Sequence, residues 1–271
     1  MRIQHNIMAM NANRNLGMNN RALAKNLEKL SSGYRINRAG DDAAGLAISE
    51  KMRADVSIYD QSINNANDGI SLVQTAEGAL TEVHDMLNRM ETLATQAANE
   101  TYNEADRTKI QLEMTALETE MTRIQNDTKF NGIALFDGSL DADIVVAEGG
   151  TPIQILIDSD LATTLADAAA ADISGADNSN ALTAMTSIKT AVDAVSAVRA
   201  NLGAVQNRLE HTVNNLGVTM ENLQNAESTI RDTNVADEMM AYTKNNILIQ
   251  SAQAMLAQAN QVPQGVLQLM Q

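Results

Sequence analysis

The chain has 271 residues, a formal net charge of −15, two prolines, four tyrosines, two phenylalanines and neither cysteine nor tryptophan, yet 44% of it is hydrophobic. The missing cysteines exclude disulfides, iron–sulfur clusters and thiolate metal sites. No apolar run reaches the roughly eighteen residues of a membrane span. Scarce aromatics and an apolar set of Ala, Leu, Ile, Val and Met disfavour a β-sandwich and favour helices packed on helices, with few proline breaks.

The N-terminal stretch MRIQHNIMAMNANRNLG lacks the continuous apolar segment of a cleaved secretory signal. Leu16, Leu23, Leu27, Leu30 and Tyr34 share one seam of a first helix, and Ser32-Gly33 is a C-cap signal. Residues 1–53 carry nine Lys/Arg against four Asp/Glu, whereas residues 54–140 carry five against fifteen. The basic segment has no interleaved aromatics and the body is acidic, so no nucleic-acid partner is expected. The basic part is expected to lie against acidic segments of the same or a neighbouring copy.

Asp41 and Asp42 follow Gly40 and can cap a second helix. Ile48, Met52, Val56, Tyr59, Ile63, Ala66, Ile70, Val73, Leu80 and Leu87 recur mostly at steps of three and four, with Glu77 interrupting. One helix of about 43–99 is expected, roughly 85 Å long at 1.5 Å per residue. A compact globule of this mass is only about 48 Å across, so the expected shape is a rod. Thr101-Tyr102-Asn103-Glu104 reads as a capping box, placing the next helix start at Thr101 or Asn103, with Ile110, Met114, Leu117, Met121 and Ile124 on its apolar face.

Asn131-Gly132 between short apolar runs signals a hairpin. Ile144-Val145-Val146 and Ile153 to Ile157 flank Glu148-Gly149-Gly150-Thr151-Pro152 and suggest a second. Residues 158–183 show no strong period and are expected to be a short, variable, exposed segment. A third long helix is expected over 184–231: Val195, Val198, Leu202, Val205 and Leu209 step three and four, then Val213, Leu216, Met220 and Leu223 continue after a stutter. Asn234 can cap a last helix with the seam Leu248, Ala252, Met255, Ala259 and Val262.

The reading is a mainly α fold: a long antiparallel coiled-coil rod with small β-hairpins over 129–157, and terminal helices paired as a second coiled coil. The domains follow as 1–40 with 234–271 and a rod over 41–233, with helices about 43–99, 103–128 and 184–231. Neither terminal helix buries much alone, so their pair should be marginal in a free subunit and ordered by association.

Catalytic chemistry is absent from the pattern. His5, His84 and His211 lie in different segments without metal-ligand spacing, and a helix cap accounts for Gly40-Asp41-Asp42. No phosphate-binding loop, nucleophile elbow or zinc-protease motif occurs. The Asn99-Glu100-Thr101 and Asn126-Asp127-Thr128 sequons are the kind that arise by chance, and the methionines sit mainly on packing seams. No enzyme, cofactor or metal is expected.

Leu30 through Ile48, LSSGYRINRAGDDAAGLAI, closely resembles the N-terminal signature of bacterial flagellins, as do Ser71 through Leu80 and the C-terminal stretch from Ser251 to Gln271. The resemblance spans roughly 1–140 and 186–271, with a short middle where long flagellins carry outer domains. It implies a filament subunit whose paired terminal helices form an inner tube and whose rod forms an outer one. It also implies export without a cleaved signal and an extracellular location. The implied partners are many copies of itself, a filament cap protein, hook-filament junction proteins and an export chaperone on the C-terminal segment. The terminal seam residues Leu16, Leu23, Leu27, Leu30, Leu248, Met255 and Val262 would serve assembly. Family members are also ligands of Toll-like receptor 5, through positions matching Arg89, Leu93 and Glu113, with Arg89 as a charged anchor beside a Leu93 knob. Glu91-Thr92 stands where related flagellins often have Arg-Glu, and Ala116-Leu117 where they often have Gln-Arg. The alternative within the same architecture is a hook-filament junction protein. A secreted enzyme with an inserted catalytic domain finds no room in 141–185, which contains no histidine.

Overall fold

A computed structural model describes residues 6–138, 140–146, 150–157, 159–175 and 178–269, with the side chains of 159 and 263–269 left out. Among the described residues six helices and four short strands follow in order: α1 (Ile7–Ser32), α2 (Ala43–Ala97), α3 (Glu104–Asp127), β1 (Lys129–Phe130), β2 (Ile133–Ala134), β3 (Asp141–Ile144), β4 (Ile153–Leu156), α4 (Ser159–Ala169), α5 (Ser179–Arg231) and α6 (Val235–Leu269). The chain divides into two units, residues 1–56 with 221–271 and residues 57–220. His5 and the Glu148-Gly149 turn lie outside the described residues.

Local chemistry sets the helix ends. Gly33 closes α1 in the left-handed region (φ 76°), its N–H donating to the Lys29 carbonyl, a conformation that costs glycine little. Asp42 Oδ1 accepts from Gly45 N at 2.9 Å and caps α2. Asp41 does something else: its carboxylate takes the N–H groups of Asn37 and Arg38 and pairs with Lys25 Nζ at 2.7 Å. The Lys25 hydrogen bond, helped by those two N–H groups, holds the Asp41 carboxyl below the usual carboxylate range. Asn103, rather than Thr101, caps α3, accepting from Asp106 N at 2.9 Å. Asn234 Oδ1 accepts from Ala236 N at the start of α6.

In the 57–220 unit, α2 and α5 run antiparallel. Leu72, Val73, Ala76, Leu80, Val83, Leu87 and Met90 meet Ala184, Ile188, Ala191, Val195 and Leu202 in one core, with Met114 and Met121 of α3. Ala66 and Leu209 join Val146 and Ile153 in a second cluster. The seam expected on α2 is therefore buried in its second half, while Ile48 is exposed. Aliphatic and methionine side chains fill most of the core, with Phe136 buried in it and Phe130 packed against it.

Both hairpins form. Phe130 pairs with Ile133 across Asn131 (φ 50°) and Gly132 (φ 83°), a tight turn requiring two left-handed residues. The second hairpin starts three residues earlier than expected: β3 covers Asp141–Ile144 and pairs Ile144 with Ile153. That register puts Ile153 and Ile155 on the buried face of β4.

The expectation of exposure for 158–183 is corrected. Leu161, Leu165 and Ala168 of α4, with Ala171 and Ile173 beyond it, are buried in the main core. Their 4-3 spacing is a helical stripe, too short to stand out among Ala, Asp and Ser. Helix α5 likewise starts at Ser179 rather than 184, because Ala181 and Ala184 continue its buried stripe.

In the other unit, α1 and α6 lie antiparallel. Asn6 Nδ2 donates to the Ala259 carbonyl at 2.7 Å near one end, and Lys29 Nζ meets Glu238 at 3.6 Å near the other. Ala9, Ala12, Leu16, Asn19, Leu23, Asn26 and Leu30 are the shielded stripe of α1, at strict steps of three and four. Glu238, Tyr242, Asn245, Ile249, Ala252, Leu256 and Ala259 are that of α6. The expected C-terminal seam thus shares only Ala252 and Ala259 with the observed one; Leu248, Met255 and Val262 point outward, as does Leu27. Three asparagines stand where a stronger coiled coil would carry aliphatics. Turned so that its oxygen accepts from Asn245 Nδ2, the Asn26 amide donates to Glu238, both at 3.0 Å. Such pairs fix register and cost stability.

Candidate functional site

The first candidate surface is the outside of the α1–α6 pair. No residue of α1 is buried. Among the described residues, Ile7, Met8, Met10, Met18 and Leu27 of α1 and Val235, Met239, Met240, Ile247, Leu248, Met255 and Val262 of α6 are exposed large apolar side chains. One groove is lined by Met8, Asn11, Ala12, Asn15, Ala252 and Met255, and a second by Met239, Met240, Thr243, Lys244 and Ile247. A heptad stripe facing the partner helix uses only one side of each helix, so a second apolar stripe has no intramolecular partner. Exposed apolar surface of this extent marks a place for another molecule.

A clasp holds the roots of this pair. Arg35 N donates to the Arg231 carbonyl at 2.6 Å and Thr233 N to the Gly33 carbonyl at 2.9 Å, with Tyr34 bridged to Asp232 between them. The Arg35 guanidinium donates to the Ile230 carbonyl at 2.6 Å. The Arg231 guanidinium sits 4.8 Å from the centre of the Tyr34 ring and meets Glu50 at 2.6 Å. That hydrogen bond holds the Glu50 carboxyl below its ordinary value. Both helix breaks, at Gly33 and at Asp232 to Asn234, are thereby tied to one point.

The second candidate surface lies in the 57–220 unit. Arg89 on α2 bonds Glu113 on α3, Nη2 at 2.7 Å and Nε at 2.8 Å, and both side chains are about half exposed. Leu93 is not beside them as a knob: it is 2% exposed and belongs to the core with Met90, Ala94 and Ala97. Four residues along a helix leave a rotation of about 40°, and here that suffices to turn Leu93 under the surface while Arg89 stays on it. The charged pair is what a partner could touch.

Two residues escape a reading of motifs. Arg107 is 2% exposed; its Nε donates to the Ala97 carbonyl at the C-terminus of α2 (2.9 Å) and its Nη1 to the Gly175 carbonyl (3.1 Å). One step of three back from Ile110 along the α3 stripe lands on Arg107, so the stripe itself was the signal. Glu118, on the same helix, has its Oε1 shut off from solvent without a hydrogen-bond partner. Burial, with the Asp172 carboxylate adding to it, pushes its carboxyl up to about 7. Among the described residues no group of three or more His, Asp or Glu could hold a metal ion, and no helix is long and apolar enough to cross a membrane.

Family comparisons place this architecture. Residues 3–141 match the family model of the bacterial flagellin N-terminal helical region, and residues 185–270 that of the C-terminal helical region. The chain is 53% identical to a flagellin of Halalkalibacterium halodurans and 46% identical to a flagellin of Bacillus subtilis, each over the full length of both chains. It is 43% identical, again over both full lengths, to a flagellar filament core protein of Treponema phagedenis. Among solved structures it is similar to the Bacillus cereus flagellin crystal structure, with a TM-score of 0.51, 30% identity and coverage of 56% of this chain and 88% of that one. A Vibrio parahaemolyticus protein described as flagellar hook-associated shares the fold, with a TM-score of 0.62 at 13% identity over 71% of this chain and all of the other. Two family models in the expected order and full-length identity above half leave one assignment: the chain belongs to the bacterial flagellin family.

Proposed function

We propose that this chain is the repeating subunit of a bacterial flagellar filament, a structural protein that works outside the cell by self-association. The observation that carries this reading is the pair of outward apolar stripes on α1 and α6, which the fold of one copy leaves uncovered. A neighbouring copy with the same stripes supplies the missing burial, and the asparagine-containing seam keeps the pair weak until it does. On this reading the inner layer is 1–40 with 234–271 and the surrounding layer is 41–233. Leu27, Leu248, Met255 and Val262 make contacts between copies, while Leu16, Leu23 and Leu30 hold α1 to α6 within one. The family resemblance adds a cap protein at the growing tip, hook-filament junction proteins and an export chaperone on the C-terminal segment. The test is seeded polymerisation of purified subunit followed by electron microscopy. Long filaments are expected; a chain that only adds a short terminal layer is a hook-filament junction protein instead.

A second role rests on the exposed Arg89–Glu113 pair, whose positions match those through which flagellins engage Toll-like receptor 5. Leu93 supports this surface from beneath. Binding of the receptor ectodomain is expected to weaken at least tenfold on Arg89→Ala, as for loss of a central charged anchor. Unchanged affinity would remove these residues from the receptor site.

A further inference from the structure

The methionines are unevenly placed. Met8, Met10 and Met18 of α1 and Met239, Met240 and Met255 of α6 are each 47–67% exposed. Met90, Met114 and Met121, in the core of the other unit, are at most 1% exposed. Every methionine described in the terminal helices is thus open to solvent, and the fully buried ones all lie in the 57–220 unit. Met8 and Met255 both line one groove, and Met239 and Met240 line the other.

Methionine suits an adaptable apolar contact because its side chain is unbranched and polarisable. The same thioether is the oxidisable group of a chain without cysteine. We infer that the six exposed methionines of α1 and α6 form an oxidation site, and that their conversion to sulfoxide by a peroxide reversibly blocks association of the subunit. The sulfur lone pair attacks one peroxide oxygen, the S–O bond forms and the O–O bond breaks. The sulfur loses two electrons and the departing oxygen, with the two protons, leaves as water. The product is a polar, strongly hydrogen-bond-accepting S=O where an apolar tip stood. Burying it against a neighbour's aliphatic stripe leaves that oxygen without a donor. Buried Met90, Met114 and Met121 are shielded, so the association surface changes character before the centre of the 57–220 core does. The effect on assembly rests on the filament reading; the pattern of oxidation does not.

The experiment treats the full-length subunit with dilute hydrogen peroxide and maps oxidation by peptide mass spectrometry, before and after polymerisation. In the free subunit the six sites should gain one oxygen well before Met90, Met114 and Met121; equal rates at the two sets overturn the inference. In the polymer the six should be protected. Seeded elongation by oxidised subunit should fall at least about tenfold, the effect of one desolvated polar group, and treatment with methionine sulfoxide reductases of both epimer specificities should restore it. A subunit carrying Met→Leu at all six positions, a volume-conserving change, should elongate equally well before and after peroxide. Unimpaired elongation by fully oxidised wild type refutes the block. Failure of untreated wild type to elongate refutes the filament reading and the block with it, while the oxidation pattern still stands or falls on the mass map.

Discussion

Replacing Arg107 by leucine removes a buried guanidinium whose partners include two carbonyls, Ala97 O at 2.9 Å and Gly175 O at 3.1 Å. Hydrogen bonds from a charged donor contribute about 1.5–3 kcal/mol each, so two lost bonds cost about 4 kcal/mol, with both carbonyls left unsatisfied. Burying the leucine and no longer desolvating a charge returns part of this, about 1–2 kcal/mol. From these two bonds alone the expected net loss is at least about 2–3 kcal/mol, or roughly 5–10 °C in Tm for a unit of this size. Thermal unfolding of the full chain, followed by circular dichroism, reads it directly. Arg89→Ala is the control, since its half-exposed pair with Glu113 should contribute less than about 1 kcal/mol. Arg107→Lys keeps the charge but offers one ammonium to two carbonyls and should fall between. If Arg107→Leu is as stable as Arg89→Ala, the guanidinium does not hold the end of α2 to the 175 segment and the reasoning fails.

Glu118 gives a pH prediction. Its folded pKa of about 7 lies above the ordinary 4.5, so between those values the folded chain binds more protons than the unfolded one. Its contribution to stability is therefore present below about pH 4.5, declines as pH rises and is gone above about 7. After allowance for solvent screening of a half-buried group the change is about 1 kcal/mol; urea melts at pH 5 and pH 8 should show it, and Glu118→Gln should flatten it. Gly45→Ala places a Cβ 2.5 Å from Asp42 Oδ2 and 2.9 Å from Ile36 Cδ1, so the cap of α2 must move. A loss of about 1–2 kcal/mol is expected, matching Asp42→Ala; a neutral result in chemical denaturation would show that the cap tolerates displacement. Limited proteolysis of the free subunit should cut α1 and α6 first and leave the 57–220 unit, because few side chains are buried between the terminal helices. Survival of α1 and α6 alongside that unit would contradict the marginal pair.

Local chemistry made much of the fold legible. Asp42, Asn103, Asn234 and Gly33 end or start helices through hydrogen bonds to residues a few places away, and Asn131-Gly132 dictates a tight turn by backbone conformation alone. The apolar stripes of α3 and α5 needed only spacing. Flagellin-like ends were likewise readable, because their signatures are contiguous. What spacing left undecided is which of two stripes on α6 faces α1. Leu248, Met255 and Val262 are more apolar than Asn245 and as regularly spaced, yet the structure turns Tyr242, Asn245, Ile249 and Leu256 inward. Amide pairing between Asn26 and Asn245 needs both helices at once, so no single stretch reveals it. For Leu93 and Arg89, a rotation of some 40° decides between core and surface, and only the packing of the neighbouring elements fixes the sign. The α4 stripe is too short to declare itself until a core exists to receive it. Sequence alone therefore determined the five longer helices, most of their ends and the family; tertiary structure decided where α4 forms, which apolar face is satisfied within one copy and which is left for the next, because burial belongs to pairs of surfaces rather than to residues.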